Sequence, residues 1–153
     1  AGFLHRYLDE PNPPLANGIE DTGWKLVYTD KPNEYEKLIS KRYHGDIGSA
    51  FGIGLQVGKD GKISDVRWNG PAFKAGIGSG ETLVAVNGQA YSSDVRQDAV
   101  KAAKGGNAPI QLLLEYQDKY RTVPVDYHDG LQYPHLERIK GAPDYLSQII
   151  KAK

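Results

Sequence analysis

The residues best suited to chemistry in this chain act through their backbone. In Gly52-Ile53-Gly54-Leu55 two glycines bracket an apolar residue, so the chain can turn tightly with neighbouring N–H groups aimed at one point. A nest of amides of this kind suits an anion, typically a carboxylate. Taken alone, the same four residues also describe an ordinary glycine-rich turn into a strand. Further on, Gly80-Glu81-Thr82-Leu83-Val84-Ala85-Val86-Asn87-Gly88 reads as a buried strand ending in an Asn-Gly turn.

Side-chain chemistry is thin by comparison. Cysteine is absent, which excludes disulfides, thiolate metal sites and a Cys nucleophile. The four histidines are His5, His44, His128 and His135, and none is followed by Glu, so the H-E-x-x-H pattern of a zinc hydrolase is missing. His128, Asp129, His135 and Glu137 lie close in sequence, but in an aromatic-rich tail they read as surface or interface groups. No serine occupies a Gly-x-Ser-x-Gly elbow, and Ser79 in Gly78-Ser79-Gly80 reads as a turn residue. The pairs Glu34/Glu36 and Asp9/Glu10 read as solvated charges. No catalytic residue, metal ligand or cofactor site is therefore expected within the chain. The ten tyrosines read mainly as half-buried strand residues with wet hydroxyls, the remainder as an interdomain surface.

Composition narrows the partners. The 153 residues suit one domain with terminal extras. With 19 basic and 19 acidic residues the molecule is close to neutral, which argues against nucleic acid or an anionic membrane as partner. No apolar run approaches the roughly 20 residues that cross a bilayer, and no stretch has the pattern of a signal peptide. The start, Ala1-Gly2-Phe3-Leu4-His5-Arg6-Tyr7-Leu8, resembles the end of an amphipathic helix. With methionine absent, the chain reads as a piece of a longer protein.

The elements that must position the glycine loop follow from pattern and punctuation. Pro11, Pro13 and Pro14 among Asn12, Asn17 and Gly18 make 1–23 a linker or extended arm. A strand is predicted over Trp24 to Thr29 and a helix over Glu34 to Tyr43. Gly54 to Val57 and Ile63 to Trp68 form a hairpin around Lys59-Asp60-Gly61-Lys62. Gly70-Pro71-Ala72 opens a short helix that Gly76 ends, and Thr82 to Val86 is the central strand. Ser92 or Ser93 caps a helix from about Asp94 to Lys104, with Val95, Ala99, Ala102 and Ala103 along one stripe. Strands over Ile110 to Tyr116 and Tyr120 to Tyr127 follow, then a helix from Pro143 to Ile150. The predicted class is mainly β with short helices: a partly open barrel or sandwich capped by two helices, with extensions at both ends. The boundaries are 1–48 for an N-terminal extension, 49–127 for the organised domain and 128–153 for a C-terminal tail.

In this order the motifs resemble a PDZ domain. Gly52-Ile53-Gly54-Leu55 is similar to the family's carboxylate loop, Gly70 to Ile77 to its short helix, Gly80 to Gly88 to its fourth strand and turn, and Ser93 to Ala103 to its groove-lining helix. The resemblance implies a peptide or protein C-terminus as partner, added as a strand beside Gly54-Leu55-Gln56-Val57. By that resemblance the amides of Ile53, Gly54 and Leu55 would hold a terminal carboxylate. Leu55, Val57, Val95, Ala99 and Ala102 would line the pocket for the last side chain. Val95 in place of the family's frequent His implies an apolar residue two places before the peptide end. The sequence departs from the pattern just before the loop, where Ser49-Ala50-Phe51 stands and the nearest basic residues are Lys41 and Arg42. Capture of an internal segment, or a groove filled by the protein's own chain in a purely structural role, therefore stays open.

The flanks resemble a second pattern. Gly23-Trp24-Lys25-Leu26-Val27-Tyr28-Thr29-Asp30, the run from Asp126 to Arg138, and Gly141-Ala142-Pro143-Asp144 are similar to the C-terminal region of the glycyl aminopeptidase family, zinc metallopeptidases with a trailing PDZ domain. The resemblance implies a non-catalytic module beside a zinc-holding catalytic domain that is not in this chain. That domain would be a further partner, in a periplasmic or secreted protein.

Overall fold

The computed structural model describes residues 15–43 and 47–151. In chain order the elements are α1 (Leu15–Glu20), β1 (Trp24–Thr29), α2 (Glu34–Tyr43), α3 (Ile47–Phe51), β2 (Leu55–Val57), β3 (Ile63–Val66), α4 (Pro71–Lys74), β4 (Thr82–Val86), β5 (Gln89–Ala90), α5 (Ser93–Ala102), β6 (Ile110–Tyr116), β7 (Lys119–Val125), β8 (Tyr133–Arg138) and α6 (Tyr145–Lys151). They form two compact units. One is Thr29–Tyr133, and the other joins the flanks up to Tyr28 and from Pro134.

The larger unit is built on a four-stranded antiparallel sheet of order β5-β4-β6-β7, beside the β2-β3 hairpin. Turn chemistry sets the registers. Asn87 and Gly88 both have positive φ, 49° and 79°, the paired left-handed residues of a type I′ hairpin turn. Asn87 fixes that turn further, since its Oδ1 accepts the Gln111 amide at 2.8 Å. At the other hairpin, Gly61 turns with φ 82° and Asp60 Oδ1 accepts the Lys62 amide at 3.1 Å. The hairpin joins the large sheet through Ile63 N to Glu81 O and Leu83 N to Gly61 O, both 2.8 Å. The sheets stay open and do not close into a barrel.

The core is aliphatic and continuous: Ile53, Leu55, Ile63, Leu83, Val86, Val100, Ile110, Leu112, Leu114 and Val125 are all buried. Each such side chain contributes about 1.5–3 kcal/mol by leaving water. In β4 the pairing with β6 slips between Leu83 and Ala85. The slip breaks strict alternation, so Leu83 and Val86 face the core while Val84 is only half-buried. Helix α5 is capped by Ser92, whose Oγ accepts the Val95 amide at 3.1 Å. Its buried positions are Arg96, Ala99 and Val100, and Ala102 is exposed. The inward stripe is thus turned about one residue from the predicted one.

Three elements depart from the sequence expectation. The stretch 15–20 is helical although a linker or extended arm was expected over 1–23; the rest of that arm, and the helix end expected at Ala1–Leu8, lie outside the described residues. Residues 133–138, expected within a tail, form β8 and pair with β1. Residues 47–51, to which the sequence pattern assigns no element, form α3. Its sequence, Ile-Gly-Ser-Ala-Phe, has little intrinsic helix preference, so packing holds it. A Cβ on Gly48 would stand 2.6 Å from the Tyr133 ring, so only glycine lets the helix lie this close.

Chemical denaturation separates the two faces of β4. Leu83→Ala is expected to cost about 2–5 kcal/mol by leaving a cavity in the core. Val84→Ala, one residue along, should cost about 1 kcal/mol or less. Equal losses would contradict the slipped register.

Candidate functional site

The glycine loop leaves the C-terminal end of α3 and enters β2. Gly54 has φ 82°, a conformation that favours glycine. Two loop amides already have partners: Gly52 N donates to Gly48 O at 3.0 Å and Gly54 N to Ser49 O at 3.2 Å. Both carbonyls belong to α3, so these bonds tie off the end of the helix. Gly54 O accepts from Arg67 N at 3.0 Å, which makes that pair the outermost rung of the hairpin. Strand alternation then turns the N–H and C=O of Leu55 away from β3. Beyond β3, no strand pairs with β2 among the described residues.

Of the nine expected site residues, Ile53, Leu55, Val57 and Ala99 share the core cluster, Val95 packs against it, and the nine differ in access. Gly52, Ile53, Gly54, Leu55 and Val57 are buried, Ile53 and Leu55 entirely. Gln56 is exposed on the outer face of the hairpin. Across from β2, Ala99 is 9 % exposed, Val95 is half-buried and Ala102 lies on the solvent side of α5. Helix α3 packs against both β2 and α5, at the loop end of the space between them. Of the three amides assigned to a carboxylate, Gly54 therefore donates to the protein's own helix, and Ile53 is enclosed.

Around the loop stand residues that sequence reasoning did not single out. Arg67 Nη1 donates to Phe51 O at 3.2 Å, which places an exposed guanidinium at the mouth of the loop. The side chains of Lys41 and Arg42 lie outside the described residues. Two cavities of about 540 and 640 Å3 flank the loop, and Phe51, Arg67 and Trp68 line both. Trp68 is 80 % exposed and packs on Phe73 with ring centroids 4.5 Å apart. Behind the loop, Tyr127 Oη donates to Gly130 O at 2.6 Å, and Gln132 N donates to Gly48 O at 3.1 Å. Nearby, His128 Nδ1 and Nε2 lie 3.1 Å from Ala103 O and 2.8 Å from Asp126 Oδ1.

Burial, aided by Asp129 and opposed by Arg67, pushes the Tyr127 hydroxyl from its ordinary 10.0 up to about 12. The fold favours the neutral phenol. The stability this carries is complete below pH 10 and drains away as pH rises towards 12. Tyr127→Phe should flatten that alkaline fall and cost about 1 kcal/mol at neutral pH through the lost bond to Gly130. Denaturation curves across the alkaline range check this, and parallel curves for the two proteins would overturn it.

Comparison with known proteins agrees with this geometry. The family model for the PDZ domain matches residues 41–115. No curated protein matches the sequence. Among solved structures, the chain is similar to the HtrA3 PDZ domain bound to a phage-derived ligand (FGRWV). That match has 16 % identity and a TM-score of 0.38, and covers 75 % of this chain and 91 % of that one. The chain is also similar to an aminopeptidase N family protein from Idiomarina loihiensis. There the identity is 11 % and the TM-score 0.46, over 89 % of this chain and 24 % of that one. With the glycine loop, hairpin, short helix, central strand and capped helix in order, residues 41–115 are a PDZ domain, a member of a family of peptide-binding modules.

Proposed function

We propose that this PDZ domain binds an extended peptide by strand addition along β2, as the accessory module of a zinc metallopeptidase of the glycyl aminopeptidase kind. The observation that carries the binding role is the outer margin of β2, which has no strand partner among the described residues. A peptide lying there would pair with the N–H and C=O of Leu55. Its side chains would meet the wall formed by Leu55, Val57, Val95 and Ala99, with Ala102 and Gln56 at the rim. The amides of the 52–55 turn would take a terminal carboxylate.

The accessory role rests on the flanks whose residues carry the family resemblance. They come from opposite ends of the sequence, yet they are built into one unit. Trp24 Nε1 donates to Asp144 Oδ1 at 3.0 Å, Arg138 Nη1 to Gly23 O at 2.9 Å, and Lys25 pairs with Glu137 at 3.0 Å. A preformed unit of this sort suits docking against a catalytic domain better than a flexible linker would. In such a protein the other domain would hold the zinc, and this module would guide substrate or position its partner, in a periplasmic or secreted setting. PDZ domains are generally non-catalytic, so the module would cleave nothing by itself.

One observation favours a second reading. Helix α3 packs against both walls of the groove, as it would in a purely structural scaffold whose groove binds nothing. Chemical-shift mapping against a library of C-terminal and internal peptides separates the two. Shifts confined to Ile53–Val57 and Val95–Ala99 are expected, and silence across a wide library would overturn the binding role. Val95→Asp should abolish those shifts while barely changing thermal stability, because the residue is half-buried at the groove and not deep in the core. Glycyl-peptide turnover by this chain would overturn the accessory role.

A further inference from the structure

We infer that α3 is a built-in plug: the domain is held closed, and peptide enters only when the last turn of α3 unwinds. This rests on the strand-addition role proposed above and says how that site is regulated. One donor assigned to a peptide carboxylate, Gly54 N, is spent on the helix. Gly52 N and Gly54 N serve Gly48 O and Ser49 O, so releasing α3 frees Gly54 N for the carboxylate together with the neighbouring amide of Gly52. The same helix contacts β2 and α5 together, and Leu55 and Val57 behind it are 0 % and 2 % exposed. A peptide side chain cannot reach that wall unless something moves, and α3 is the element standing between wall and solvent at the loop end.

The plug is weak by composition and strong by attachment. Five residues, two of them Gly48 and Ser49, form too short a helix to persist alone. Three latches hold it from outside: Arg67 Nη1 on Phe51 O at 3.2 Å, Gln132 N on Gly48 O at 3.1 Å, and the Tyr133 ring against Gly48. Tyr133 touches the helix through Gly48, so changing that contact alters closure without altering the loop; Arg67 also stands at the loop mouth, so its loss reports on closure only through amide exchange. A closed majority lowers apparent affinity by the fraction of molecules that are open. Loosening a latch should therefore tighten peptide binding, the reverse of what loss of a contact residue does.

Two variants test this. In Gly48→Ala the added methyl would stand 2.6 Å from the Tyr133 ring, and in Arg67→Ala the Phe51 carbonyl loses its donor. Each should speed hydrogen exchange at the Gly52 and Gly54 amides. Gly48→Ala should also lower the dissociation constant for a groove-binding C-terminal peptide by about tenfold relative to the unaltered chain. Arg67→Ala stands in if Gly48→Ala does not fold, and is read by amide exchange alone because its guanidinium lies at the loop mouth. Faster exchange with unchanged affinity would overturn the plug and leave strand addition intact. Slow exchange at those amides in a folded variant would also overturn it. Absence of binding in every form, with the amides exchanging freely, would overturn both strand addition and the plug.

Discussion

The carbonyl oxygen of Gly48 accepts two amides, from Gly52 on its own helix turn and from Gln132 far along the chain. That one acceptor joins the loop that defines the domain to the segment that follows the last strand of its sheet. Both lone pairs of the carbonyl are used, and the Tyr133 ring closes over the glycine that carries it. The arrangement requires position 48 to have no side chain and requires 127–133 to return beside α3. Tyr127, bonded to Gly130, and buried Leu131 and Tyr133 supply that return. The compact unit accordingly runs on to Tyr133, although the sheet strands are complete at Val125.

Charge is placed with the same economy. Glu81 is nearly buried and accepts a forked Arg121, at 2.7 Å from Nη2 and 3.2 Å from Nε, while also taking the Gly78 amide at 2.9 Å. Each carboxylate oxygen has a donor, the condition under which a buried acid is tolerated. Helix α2 opens with a reciprocal capping pair: Asn33 Oδ1 accepts the Glu36 amide and Glu36 Oε2 accepts the Asn33 amide, both at 2.8 Å. Arg96 is buried on the inward face of α5, its guanidinium 5.9 Å from the centre of the Tyr91 ring. These polar groups orient helices and turns against the sheet, and they leave the 52–57 segment to be shaped by backbone bonding and packing.

Much of the domain was legible in the sequence because its signals are local. Asn87-Gly88, the Ser92 cap, Pro71 at a helix start and the apolar run 82–86 each specify their own geometry, and those elements fall where they were expected. What was illegible depends on contacts distant in sequence. Helix α3 owes its existence to Tyr133 and Gln132, and β8 needs β1 from the other end of the chain. The rotation of α5 that buries Arg96 and exposes Ala102 follows from how the helix seats on the sheet, which the alanines alone could not disclose. Arg67 was within reach: with Leu55 opposite Val66, the next rung outward must be Gly54 with Arg67. Sequence reasoning looked for a basic residue before the loop, whereas the hairpin brings one from across it.

Loop amides can serve one set of acceptors at a time, and this limits what the domain can do in any single state. In an open groove they face a vacant anion site, where water serves them until a carboxylate displaces it. Here the carbonyls of Gly48 and Ser49 at the end of α3 take the Gly52 and Gly54 amides. The exchange of one oxygen acceptor for another is nearly balanced in hydrogen bonds. What decides between the states is then packing: the apolar contacts α3 makes with β2 and α5, set against those a guest strand would make in the same space. A guest with apolar side chains at the right spacing can replace them, and a polar one cannot. On the proposed reading, discrimination among peptides would come from the Leu55, Val57, Val95 and Ala99 wall. The amide nest, which meets any carboxylate through its main chain, would add little selectivity of its own.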